Sequence, residues 1–214
     1  MDLQKGINFC KFEFLFFFYE TEEIMEYKIS KEHTAVVVID LQKGIVAMPT
    51  GPYPSKQVIE NSVKIIEAAR AKKMSVFLVH VTPSPDGKDA LHPVVENTFQ
   101  FDRPADWAEY VPELNIQPSD FLITKRQWGA FYGTELELQL RRRNLDTIIL
   151  CGIATNMGVE STARFAFEYG FNQIFVEDAM AARSKEMHEY PLKYIFPHMG
   201  LVMKTEDILK MINE

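Results

Sequence analysis

The chain has 214 residues, a formal net charge of −7, and two cysteines, Cys10 and Cys151. That length fits one ordinary domain, which can bury a full core without disulfides or a structural metal. The acidic balance argues against nucleic acid, whose binders carry basic stripes, and against acidic membrane surfaces. It leaves room for an anionic small molecule, because a local Lys and Arg pair overrides the global sign. The cysteines suggest neither a zinc site nor a disulfide framework, so the protein reads as cytoplasmic, in a reducing compartment.

Residues 1–24 stand apart. The run Phe12-Glu13-Phe14-Leu15-Phe16-Phe17-Phe18-Tyr19 is very apolar, yet too short to span a bilayer. It lacks the basic lead-in and small-residue cleavage site of a signal peptide. The hexapeptide DLQKGI occurs at residues 2–7 and again at 40–45, but one short repeat does not make a repeat architecture. The segment reads either as a dispensable extension before a natural start at Met25, or as an aromatic stripe that docks on a partner subunit. Residues 25–214 form the expected domain.

From Thr34 onward strand and helix signals alternate. Ala35-Val36-Val37-Val38-Ile39 is a β-branched run suited to a strand buried on both faces. Residues 55–72 place Val58, Val63, Ile65, Ile66 and Ala69 at near-helical spacing. A second strand follows at 75–81. Residues 82–119 form a long loop rich in Pro, Asp and aromatics, a length uncommon without a function. Then come strands at 121–123, 147–151, 173–176 and 201–203, interleaved with helices at 135–143, 158–169, 184–196 and 206–212. This order predicts a three-layer α/β/α domain with a six-stranded, mainly parallel sheet. In such folds ligands sit beyond the carboxyl ends of the strands. Asp40, Lys125 and residues 153–158 all fall at such ends.

Asp40 directly follows the first strand. It reads either as a cap in the following turn or as a general acid or base whose pKa is raised by burial and lowered by a cation. Lys125, after the third strand, is either an exposed lysine or the cation that orients Asp40 and holds a substrate anion. Arg126 is placed to clamp a carboxylate bidentately or simply to face solvent. The loop at 153–158 leads into a helix that Thr155 or Asn156 can cap. Its first amides, with those of Met157 and Gly158, make an anion site. Ala154, Thr155, Asn156 and Met157 are thus candidate substrate contacts, as are Trp128 and Phe131 in the segment after Lys125. Phe101, Arg103 and Trp107 are further candidates for the pocket wall. Cys151 ends an apolar strand and reads as a core cysteine. His80, His92, His188 and His198 have no metal-ligand spacing, so neither metal nor cofactor is expected. His80 is either a core histidine or a pocket residue.

Four segments, in order, resemble the isochorismatase-like cysteine hydrolases. They are Val38-Ile39-Asp40-Leu41-Gln42, then Thr124-Lys125 with Ala130-Phe131-Tyr132-Gly133-Thr134, then residues 152–163, and Val176-Glu177-Asp178-Ala179. The match covers about 34–207. The resemblance implies a six-stranded parallel sheet, a homodimer or larger homo-oligomer, and a non-proline cis peptide near Ile153–Ala154. It implies a catalytic set of Asp40, Lys125 and the position held by Gly158, where most of the family has its catalytic Cys. In cysteine members the Asp takes the thiol proton, the thiolate attacks an amide, and the Lys assists. Nicotinamidases also carry an Asp and His metal cluster after the first strand, and residues 41–60 contain no His. True isochorismatases likewise have Gly at the cysteine position. They protonate the enol carbon of a vinyl ether with the Asp, water attacks the oxocarbenium ion, and pyruvate leaves. Before that glycine they have Tyr-Ala-His-Ile, where this chain has Ala154-Thr155-Asn156-Met157. The expected function is hydrolysis of a small carboxylated molecule by Asp acid/base catalysis. The alternatives are a catalytically inactive member that binds a small molecule, and an oligomeric scaffold working through the 82–119 loop or the aromatic N-terminus.

Overall fold

A computed structural model describes residues 28–97 and 103–214. The proposed extension at 1–24 and the wall candidate Phe101 lie outside the described residues. Six strands form one sheet: β1 (Thr34–Ile39), β2 (Ser75–Val81), β3 (Phe121–Lys125), β4 (Thr147–Ile153), β5 (Asn172–Ala181) and β6 (Leu201–Met203). Their order is β3-β2-β1-β4-β5-β6, and each neighbouring pair is parallel. The helices are α1 (Lys43–Val46), α2 (Ser55–Ala71), α3 (Leu136–Arg142), α4 (Glu160–Glu168), α5 (Lys185–Tyr194) and α6 (Thr205–Asn213). The expected α/β/α architecture is present.

The β-branched run explains the central strand. All six residues of β1 are buried, and alternate side chains point to opposite faces. Val36 and Val38 join the layer that holds Ile65 and Ile66 of α2 and Ile208 and Ile212 of α6. Ala35, Val37 and Ile39 join the layer that holds Leu140 of α3 and Ala163 of α4. Each Val, Leu or Ile side chain among them contributes roughly 1.5–3 kcal/mol when fully buried. The α2 helix turns Val58, Ser62, Ile65, Ile66 and Ala69 inward, a stripe at the 3.6-residue period.

The chain runs from β1 outward to β2 and β3, then returns to the other side of β1 with β4. The carboxyl ends of β1 and β4 therefore flank the switch point, where a crevice opens. Gly152 lets these two strands meet there. Its φ is +117°, and a Cβ on it would lie 2.1 Å from the Ile39 carbonyl oxygen. Gly152→Ala is expected to lower stability by at least ~2 kcal/mol, through backbone strain and overpacking together. The midpoint of urea unfolding checks this, and an unshifted midpoint would contradict it.

Several boundaries differ from the sequence expectation. The β4 strand runs on through Gly152 and Ile153, and β5 through Ala181. The single-turn α1 was not anticipated. The 82–119 loop is stitched to the β1–α1 corner along its second half. The amide of Val111 donates to the Leu41 carbonyl (3.1 Å) and that of Gly44 to the Trp107 carbonyl (2.9 Å). The buried Gln42 side chain donates to the Val81 and Trp107 carbonyls and accepts from the Val81 amide. No helix among the described residues is long and apolar enough to cross a membrane.

Candidate active site

Asp40 is the first residue past β1 and has φ +53°. Left-handed backbone is uncommon for a residue with a Cβ, although Asp tolerates it better than most. It persists where the surroundings over-determine it. Here the Asp40 amide donates to the Val79 carbonyl at 2.9 Å, which fixes the turn. The side chain enters the crevice, where Oδ2 lies 2.8 Å from Lys125 Nζ. Oδ1 is buried and has no hydrogen-bond partner among the described residues. Lys125, the last residue of β3, is 1% exposed, and its Nζ also donates to the Trp128 carbonyl. The reading of Lys125 as an exposed strand-end lysine is therefore excluded. Burial pushes the Asp40 carboxyl above its ordinary range, against the opposing pull of the Lys125 ammonium.

Gly158 faces this pair. A Cβ built on it would stand 2.9 Å from Lys125 Nζ, 3.0 Å from Ile39 Cγ2 and 3.1 Å from Asp40 Oδ2. Residues from two strand ends and from the turn beyond a third thus meet at one point. The peptide Ile153–Ala154 is cis, as the resemblance implied.

The segment after it is not a capped α-helix. Thr155–Val159 forms one wider π-helical turn ahead of α4. Neither Thr155 nor Asn156 caps it with a side chain. The Thr155 hydroxyl instead bonds His188 Nδ1 at 2.7 Å, inside the fold. The Met157 amide donates to the Ala154 carbonyl at 3.1 Å, so it is not the free anion donor expected of it.

A cavity of about 230 Å³ opens over Asp40, Lys125 and Gly158. Of the expected contacts, Arg126, Trp128, Ala154 and Met157 line it, and so do Arg103 and Trp107. Phe131, Thr155 and Asn156 do not. Phe131 packs among Tyr169 and Phe171 in the core, because a large ring on that face has more apolar surface to cover there. His80 is not a lining residue either. Both its ring nitrogens are bonded, at 2.8 Å each, to the Ala108 carbonyl and the Thr124 hydroxyl. Cys151 belongs to the α2 side of the sheet and contacts Ser62. Burial pushes its thiol up to about 12, which removes thiolate character at neutral pH.

Sequence reasoning missed Met48, Ala90, Leu91 and Arg183 among the lining residues. Arg183 had a usable signal: the apolar stretch Ala179–Ala182 continues β5, which places Arg183 just past a strand end. The others come from irregular segments with no such marker. Among the described residues no group of three or more His, Cys, Asp or Glu side chains is arranged to hold a metal ion.

The model of the isochorismatase domain matches residues 34–207. This chain belongs to the isochorismatase family. It is 50% identical over 187 residues to the "uncharacterized isochorismatase family protein YwoC" of Bacillus subtilis, covering 86% of this chain and 96% of that protein. It is 46% identical over 186 residues to the "uncharacterized isochorismatase family protein YecD" of Escherichia coli O157:H7, covering 86% and 99%. A solved structure of an isochorismatase family protein from Burkholderia thailandensis superposes with a TM-score of 0.84 at 39% identity, covering 87% of this chain and 99% of that one. Members of the isochorismatase family are hydrolases, and so is this protein. Its Asp40–Lys125 pair and the side-chain-free position opposite it line the cavity described above.

Proposed function

We propose that this isochorismatase-family hydrolase works without a nucleophilic side chain, by acid catalysis from Asp40 on a small carboxylated vinyl ether. The observation that carries the reading is the meeting of a buried carboxyl, held above its usual pKa, with a residue that has no side chain. The protonated Asp40 donates its proton to the enol carbon. Water adds to the resulting oxocarbenium carbon, and the hemiketal collapses to a 2-oxo acid and an alcohol. The proton released in these steps returns to Asp40. Lys125 holds the carboxyl in place and stabilises it once ionised, as an opposite charge at 2.8 Å does. Gly158 sets no side chain against the pair, where even a Cβ would lie 3.1 Å from Asp40 Oδ2. Cys151 takes no part, being on the far layer of the sheet.

Release of pyruvate from isochorismate by the wild-type protein tests the reaction, and its absence would discard the vinyl-ether reading. The pH profile tests the role of Asp40. The active form is the protonated one, and burial extends that form to higher pH than the ordinary value of 3.8. We expect kcat/KM to be level at low pH and to fall as pH rises through the raised pKa. A rate that climbs over the same interval would make Asp40 a base instead.

A further inference from the structure

The cavity holds a second unmet hydrogen-bonding atom besides Asp40 Oδ1. Arg126 directly follows Lys125, and its Nη1 is buried with no partner among the described residues. A buried guanidinium donor left unpaired is unfavourable, and a charged acceptor relieves it best. The other edge of the guanidinium is engaged, with Nε donating to Asp89 Oδ2 at 2.6 Å.

Asp89 is itself firmly placed. It accepts from the Ser84 amide (2.6 Å) and the Ser84 hydroxyl (2.5 Å). These bonds, with Arg126 adding to them, hold its carboxyl down at about 2, so it is ionised at any working pH. The next two residues, Ala90 and Leu91, line the cavity. The pair therefore does two things at once. It orients the guanidinium, and it fastens residues 84–91 beside the cavity. Each partner is about one-third exposed, so the fastening is weak enough to open.

We propose that Arg126 selects a substrate carboxylate through Nη1, and that Asp89 is its positioning residue, tying closure of the 84–91 segment to the orientation of that donor. This deepens the carboxylated-substrate reading above and rests on it. The two unmet atoms then divide the ligand between them. The carboxylate goes to the Arg126 side of the cavity, and the group to be protonated goes to Asp40.

Both tryptophans of the chain line the cavity, so intrinsic fluorescence reports its occupancy without turnover. Benzoate and benzamide, equal in shape and different in charge, are the probes. Wild type is expected to bind benzoate roughly tenfold or more tightly than benzamide. Arg126→Gln should erase that preference. Asp89→Asn, at an exposed position, should weaken benzoate severalfold and leave benzamide unchanged, a selective effect that a merely structural role would not produce. Equal binding of the two probes by wild type, tighter binding of benzamide, or no binding of either would overturn the proposal. So would an Asp89→Asn variant with wild-type selectivity. Pyruvate release from isochorismate is a separate readout. Failure of probe selectivity with turnover intact rejects the Arg126 assignment alone, and selectivity without turnover rejects the vinyl-ether reading alone.

Discussion

Asp40→Asn is expected to lower kcat for pyruvate release by roughly 100- to 10,000-fold, the usual worth of a positioned general acid, with KM changed by no more than a few-fold. The substitution keeps the shape of the side chain. Its amide oxygen can still accept from Lys125 Nζ, which sits 2.8 Å from Oδ2 in the native protein. What it loses is the transferable proton. Because Asp40 occupies left-handed backbone at φ +53°, asparagine is also the replacement that best tolerates the turn. Steady-state kinetics and thermal unfolding on the same preparation separate lost chemistry from lost structure. Near-native kcat in a folded variant would show that the proton comes from elsewhere and end the mechanism.

Lys125→Met is expected to show the largest effect on stability, a loss of about 3–5 kcal/mol at neutral or higher pH, the usual result of stripping a buried charge of its partner. Methionine fills much of the volume of the lysine stem, so the change is mainly electrostatic. It leaves Asp40 as the uncompensated group and the Trp128 carbonyl without its donor. The sign of the pH dependence follows from the raised pKa of Asp40. A carboxyl whose folded pKa exceeds its unfolded value favours folding most below the unfolded pKa. That contribution is lost as pH rises through the folded pKa. Removing the ammonium takes away the main opposing effect and raises the folded pKa further. The variant should therefore lie nearest to wild type in acid, where Asp40 is neutral, and fall away as pH increases. Urea unfolding of both proteins at several pH values measures this. A loss independent of pH would mean that the pair is not the electrostatic unit described.

The centre of the sheet was legible because β1 and β4 are apolar runs rich in β-branched residues and buried on both faces, a pattern that survives without tertiary information. Asp40 and Lys125 were legible because each lies where a strand ends and the topology brings strand ends together, whereas Gly158, inside the turn beyond β4, was marked by the family resemblance. Other parts were hidden for physical causes. Glu177 and Asp178 broke the apolar run of β5, yet both sit within the strand. Their carboxylates are used elsewhere, Glu177 by the Tyr53 hydroxyl at 3.0 Å and Asp178 by the first residue of α6, Thr205, at 2.7 Å. Thr155 carries an ordinary N-cap signal, but its hydroxyl is claimed by His188, 33 residues away, and no local rule anticipates such a partner. Asp89 is likewise separated from Arg126 by 37 residues, in a loop where every Asp reads as a turn former. Phe131 shows the reverse failure. An aromatic ring near a site is equally good as wall or as core, and only packing decides.

Replacing Gly158 by cysteine would put a thiol where Asp40 and Lys125 meet. The surrounding atoms make that step harder than it looks. Any Cβ at 158 meets the Lys125 ammonium at 2.9 Å and the Asp40 carboxylate at 3.1 Å, and the two charged groups are themselves drawn together at 2.8 Å. A side chain arriving there must shift the Lys125 ammonium within the pair it would need as its activating base and cation. A nucleophile there requires the lysine to reset, so what the position accepts depends on its neighbours as much as on its own chemistry.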